Sequence, residues 1–169
     1  LYNYPSVVIY TIFNEGWGQF KADENYEIAK RNDPTRLYDS TSGWFWQEKS
    51  DFDSEHIYFK VVKLTPGKRP LFVSECGGYT MVIKDHYYSK YASYGYGACT
   101  SEEELTREIV HMYDEMIVSA IEKGACGCVY TQLSDVEDEI NGLYTYDRKV
   151  CKVDKVAMKE VAARINAKV

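Results

Sequence analysis

Residues 7–17 read VVIYTIFNEGW. Val7 to Phe13 is an unbroken β-branched, aromatic and apolar run of strand length. A run without polar alternation suits a strand buried on both faces, as in a parallel sheet. Polarity then changes abruptly, which puts Asn14 and Glu15 at the C-terminal end of that strand. The residues that follow, Gly16-Trp17, do not make the G-x-G-x-x-G of a phosphate-cradling turn, so a dinucleotide-binding layout is disfavoured.

Working outward, the pattern alternates. Ala22 to Arg31 is predicted as a helix, stopped by Asn32-Asp33-Pro34. Leu37 to Thr41 is a second short strand ending at Ser42-Gly43, and His56 to Phe59 is a third. Gly67 to Pro70 is a turn. Leu71 to Ser74 is a fourth strand that runs into Glu75. Residues 77–99, rich in tyrosine and glycine, have no clear period and read as a loop with room for one helical turn. Ser101 and Glu104 have capping-box spacing. Leu105, Ile109, Met112, Tyr113, Met116, Ile117 and Ala120 then recur at helical spacing, and Gly124 closes that helix. Cys126 to Gln132 is a fifth strand, and residues 153–169 a last amphipathic helix with Val156, Val161, Ala162 and Ile165 as inner positions. Strands alternating with helices imply parallel pairing through right-handed crossovers. The expected class is α/β, with the chemistry at the C-terminal ends of the strands, as in a (β/α)8 barrel.

Composition narrows the function. The chain has 169 residues, 45% of them apolar, enough for one domain with a real core. The formal charge is −6, from 20 basic and 26 acidic residues, which argues against nucleic acid. No stretch reads as a membrane span and none as a signal peptide. The opening Leu1 is not an initiator methionine, so the native start is expected upstream. Five cysteines, Cys76, Cys99, Cys126, Cys128 and Cys151, form no C-x-x-C. Reduced thiols in a cytoplasm are expected, with Cys126 and Cys128 as small buried hydrophobes. His56, His86 and His111 make no H-E-x-x-H, and His111 reads as a surface residue of the long helix. Asp135, Glu137, Asp138 and Glu139 miss the EF-hand pattern and read as a solvated acidic loop. No metal or cofactor is expected. The 16 tyrosines suit a sugar cleft and equally suit an ordinary core or surface.

Glycoside hydrolysis needs two carboxyl groups flanking one bond, one to protonate the leaving oxygen and one to attack or direct water. Glu15 and Glu75 both follow apolar strands and are flanked by glycines that allow close approach. On a parallel sheet, equivalent strand ends share one rim. Each glutamate taken alone reads first as a solvated strand-end residue; the neighbouring residues shift that reading towards chemistry.

The segment NYPSVVIYTIFNEGWGQF resembles the strand-four region of glycoside hydrolase family 2, the β-galactosidase and β-glucuronidase family. DPTRLYDSTSGW resembles its strand five, RPLFVSECGGY its strand seven and YTQLSDVEDEINGLYTYDRKVCK its strand eight. The resemblance implies the C-terminal portion, about strands four to eight, of a TIM-type barrel, and so a fragment of a longer chain. It implies a retaining, β-galactosidase-like hydrolase of O-glycosidic bonds, with Glu15 as acid/base and Glu75 as nucleophile. It further implies Asn14 on the sugar 2-hydroxyl and Tyr58 donating to the nucleophile, with His56 lining the cleft. Trp44 and Trp46 are sugar-stacking platforms or packing residues, and Trp17 packs beside the acid/base. The sequence departs from the family at Tyr4, where a histidine is usual, at Tyr130 or Gln132, in the region of a strand-eight tryptophan, and at Cys76, where an aromatic is common. A carbohydrate substrate is the expected partner. A partial barrel has open sheet edges, so self-association is expected too. The alternative is a non-catalytic carbohydrate-binding or structural fragment.

Overall fold

The computed structural model describes residues 1–16 and 18–168, so the expectation for Trp17 lies outside the described residues. The chain divides into two compact units. The first is Leu1–His56 with Thr65–Ser74 and Gly124–Gly127; the second is Ile57–Leu64 with Glu75–Lys123 and Cys128–Val169.

In the first unit, β1 (Ile9–Thr11) pairs in parallel with β2 (Leu37–Asp39), with Tyr10 opposite Tyr38. Backbone bonds continue the pairing on both sides, from Leu37 N to Val8 O at 3.0 Å and from Phe13 N to Ser40 O at 3.2 Å. The two strands are connected through α1 (Ala22–Asn32), whose last turn carries Lys30 and Arg31 where basic side chains suit the helix dipole. Burial on both faces does not hold for β1. Its sheet has two strands, and Val8 is 59% exposed. A strand paired on one edge has no need to cover every apolar side chain.

Strands β3 (Asp53–Tyr58), β4 (Leu71–Gly77) and β7 (Ala125–Thr131) form a second sheet in the order β3-β4-β7. Each of these strands begins in the first unit and ends in the second. Two further short strands, β5 (Tyr79–Thr80) and β6 (Tyr96–Ala98), pair in parallel. They stand near the two ends of the stretch 77–99, whose middle, residues 81–95, is the irregular loop expected there, without the helical turn. No closed barrel forms among the described residues.

The second unit has an apolar core. Helix α2 (Glu102–Met112) runs through a π-helical segment, Tyr113–Val118, into α3 (Ser119–Ile121). Leu105, Ile109, Met112, Met116, Ile117 and Ala120 are all buried. Ser101 Oγ accepts from Glu104 N at 3.2 Å. The Glu104 carboxylate accepts instead from Thr100 N, at 2.7 Å, one residue before the cap. The last helix, α4 (Lys155–Asn166), is capped by Asp154 Oδ1, which accepts from Val156 N and Ala157 N. Asp154 N donates to Thr106 Oγ1 at 3.0 Å, tying this helix start to α2. Val161 is buried as expected, whereas Val156 is 64% exposed because it sits in the first turn on the outer side. No helix among the described residues is long and apolar enough to cross a membrane.

Candidate functional site

The loop after β1 carries Glu15. Its Oε2 is hydrogen-bonded to Nδ1 of His56, which is buried on β3. The His56 Nε2 meets Ser42 Oγ at 3.0 Å, and Ser42 donates to Ser74 Oγ at 2.9 Å. A serine has one proton to give. With that proton on Ser74, His56 Nε2–H is the donor to Ser42. The chain Glu15–His56–Ser42–Ser74 thus links a carboxyl group to a buried imidazole and two hydroxyls.

This arrangement rests on the segment Asp39-Ser40-Thr41-Ser42-Gly43, all of it buried. Ser54 Oγ donates to Asp39 Oδ1 at 2.9 Å and accepts from Gly43 N at 3.1 Å. Burial pushes the Asp39 carboxyl above the ordinary range, against the opposing effect of the Ser54 hydroxyl that donates to it. Gly43 has φ +86°, and a Cβ there would collide with the His56 ring. Only glycine lets the chain pass so close to the imidazole.

Asn14 is exposed, and its carbonyl accepts from Gln19 Nε2 at 3.1 Å. Trp44 Nε1 donates to His56 O at 3.3 Å, and Trp46 Nε1 donates to Ser54 O at 2.8 Å and to Gly43 O. The indole N–H groups therefore fasten the loop to β3, while the rings stay 41% and 52% exposed. Such residues pack at one end and present an aromatic face at the other.

Glu75 lies in the second unit, within β4 rather than beyond its end. Its Oε2 accepts from Tyr58 Oη at 2.8 Å and from Thr131 Oγ1 at 3.2 Å. The Tyr58 ring stacks on Tyr96 at 4.9 Å and 13°, which fixes the phenol. Gly78, at φ +72°, makes room for both rings; a Cβ would lie 3.2 Å from Tyr58 and 3.0 Å from Tyr96. Strand alternation turns the next residue, Cys76, the other way into full burial. A hydrogen bond to Cys128, then burial, raise the Cys76 thiol well above its usual range, so it stays protonated and inert. All five cysteines are free thiols. Cys126 is exposed and Cys128 half-buried, so the expected pair of buried hydrophobes does not hold. The β7 strand carrying them has no fully buried residue.

The acidic loop is also corrected. Asp135 is buried, not solvated. Its Oδ1 accepts from Lys152 Nζ at 2.7 Å and from Gly142 N at 2.8 Å. Lys152, itself fully buried, donates also to Met81 O and Ile140 O. Glu137 and Asp138 remain exposed.

Sequence reading missed Ser42 and Thr131, which touch His56 and Glu75, and Ser74, which Ser42 contacts in turn. The signal for Ser42 was a polar run, Asp39 to Ser42, ending a strand where apolar residues were expected. Nothing local marked Ser74 or Thr131. Comparison with protein-family models gives no match for this chain, and comparison with curated proteins gives none.

Proposed function

We propose that this chain is the catalytic region of a retaining β-glycosidase, β-galactosidase-like in its chemistry and built as part of a (β/α)8 barrel. Glu75 attacks the anomeric carbon while the glycosidic C–O bond breaks, and Glu15 passes its proton to the leaving oxygen. Water, deprotonated by Glu15, then cleaves the glycosyl ester and releases Glu75, with net retention.

The observation that carries this reading is the contrast in how the two carboxyl groups are held. Glu75 accepts from two hydroxyl donors, Tyr58 and Thr131, on one oxygen. Two donors on one oxygen fix the orientation of the carboxyl group, as a nucleophile requires. Glu15 faces a histidine nitrogen at the head of a relay, as a group that gives and takes a proton requires.

The test is made on whatever polypeptide carries this sequence in the cell. A 2-deoxy-2-fluoro-β-galactosyl donor with an activated leaving group should label Glu75, read by peptide mass spectrometry. Glu75→Gln should abolish turnover. Glu15→Gln should lower it by about 10²–10⁴-fold for poor leaving groups, the usual weight of one acid/base. NMR of the first-formed sugar should show the β-anomer. Unchanged turnover in both variants, or an α-anomer product, would overturn the assignment. Sugar binding with no turnover would favour the carbohydrate-binding alternative.

A further inference from the structure

Within the second unit a cavity of about 160 Å³ is walled by Met158, Val161, Ala162 and Ile165 of α4, with Tyr113 of the π-helical segment and Cys128 of β7. Tyr113 is only 9% exposed, and among the described residues its hydroxyl has no hydrogen-bond partner. Its ring leans on Tyr130 at 6.3 Å. Burial holds the phenol well above its ordinary range, so it stays protonated and free to donate. A buried donor left unpaired costs free energy, and an acceptor brought by a ligand recovers it. Single-turn π-helical segments recur at functional sites.

Cys128 meets this cavity as one member of a thiol pair. Cys76, fully buried on the neighbouring strand β4, hydrogen-bonds Cys128, and its sulfur lies 3.4 Å from Val129 O. When Cys128 is ionised, the single Cys76 proton turns to it. That bond pulls the Cys128 thiol below its usual range, against the effect of burial. Tyr113 lies close enough for the charge on that sulfur to act on its phenol. Cys126, two residues earlier, is the contrast. Its residue is exposed, yet partial burial of its thiol pushes it up. The thiolate is the nucleophile, so the order of reactivity at neutral pH runs opposite to the order of exposure.

We infer that this cavity captures a small neutral α,β-unsaturated carbonyl compound, with Cys128 adding to its β-carbon and the Tyr113 hydroxyl holding its carbonyl oxygen. The thiolate electron pair forms the S–C bond, and the C=C pair shifts to leave the charge on the carbonyl oxygen as an enolate. Tyr113 donates to that oxygen as the charge develops. A proton from water then reaches the α-carbon. The product is a thioether, with no leaving group and no oxidant consumed. Aliphatic walls favour a neutral reagent over a charged one. The volume equals that of roughly five waters, so enals of about four or five carbons fit. The chemistry uses neither Glu15 nor Glu75.

The test exposes the polypeptide that carries this sequence to limiting crotonaldehyde at neutral pH, fixes the adducts with borohydride and reads all five cysteines by peptide mass spectrometry. Cys128 should be labelled about ten-fold faster than Cys126. Tyr113→Phe should slow Cys128 towards crotonaldehyde about ten-fold, the weight of one hydrogen bond. It should leave unchanged the reaction of Cys128 with methyl methanethiosulfonate, which forms no enolate. Ala162→Leu, at an exposed position lining the cavity, should slow both reagents at Cys128 and neither at Cys126. Circular dichroism checks that both variants fold. Cys126 labelled first, a Cys128 rate indifferent to Ala162→Leu, or no selective slowing of crotonaldehyde in Tyr113→Phe would overturn the inference.

Discussion

In the first unit, Glu15 sits on a loop and meets His56, which is held in turn by Ser42 and, through it, Ser74, over a buried polar segment from Asp39 to Ser42. In the second unit, Glu75 sits on a strand, and the buried face of the long helical segment of that unit is apolar, with Leu105, Ile109, Met112, Met116 and Ile117. The buried charges of that unit are concentrated in one pair, Lys152 and Asp135. A carboxylate on a regular strand inherits its position from ladder bonds and packing. A carboxyl group on a loop needs dedicated side chains to hold it, and those side chains must be satisfied among themselves once buried.

The contrast can be broken most severely at Lys152. Removing one member of a buried ion pair leaves the other charge stranded, so Lys152→Met should cost about 3–5 kcal/mol in urea denaturation. Asp135→Leu added to it should recover much of that loss, since the stranded carboxylate is then gone. Ile109→Ala tests the apolar side and should cost about 2–5 kcal/mol, from lost transfer energy and the cavity left behind. Ser42→Ala tests the polar side. It removes the hydroxyl that meets His56 Nε2 and should cost about 1–3 kcal/mol. It should also shift the pH profile of turnover, whereas Ile109→Ala should not.

The smallest effect concerns pH. Asp51 accepts from Tyr26 Oη at 2.9 Å and from Tyr38 N at 2.7 Å, and pairs with Lys30 at 2.8 Å. Burial alone would raise its carboxyl, but these partners outweigh burial and hold it below the ordinary 3.8. Burial, helped by Asp51, pushes the Tyr26 phenol up to about 12. A depressed acid contributes stability that is present above its unfolded value and lost as pH falls through its folded value. A raised phenol contributes stability that is present below 10.0 and lost as pH rises towards 12. The melting temperature should therefore hold between about pH 4 and 10 and drop on both sides, and Asp51→Asn should flatten both limbs. Unchanged limbs in that variant would show that the cluster does not set the pH range.

Much of the element order was legible because its signals are local. The apolar period of residues 105–120, the Ser101 cap and the stop at Asp33-Pro34 each act within a few residues, and the helices lie where those signals put them. The alternation of strand and helix was legible for the same reason. The tyrosine-rich stretch was not. Strands β5 and β6 are only two and three residues long. Elements so short carry no period, and only their partners across the chain define them. The exposure of Val8 and Val156 was equally hidden, because β-propensity and helical phase say which face a residue occupies but not whether anything covers it.

At the candidate site, the sequence by itself marked the two glutamates and the glycines beside them, since polarity changes at strand ends are properties of the chain, while the tyrosine at 58 was singled out only by the family resemblance. Tertiary structure alone decided who holds them. Ser42 reaches Ser74 across 32 residues of chain, Thr131 reaches Glu75 across 56, and Lys152 reaches Met81 across 71. A hydroxyl or an ammonium group has no preferred partner at such a separation. What selects one is the cost of burying a polar group unsatisfied, and that cost exists only once the chain has folded around it.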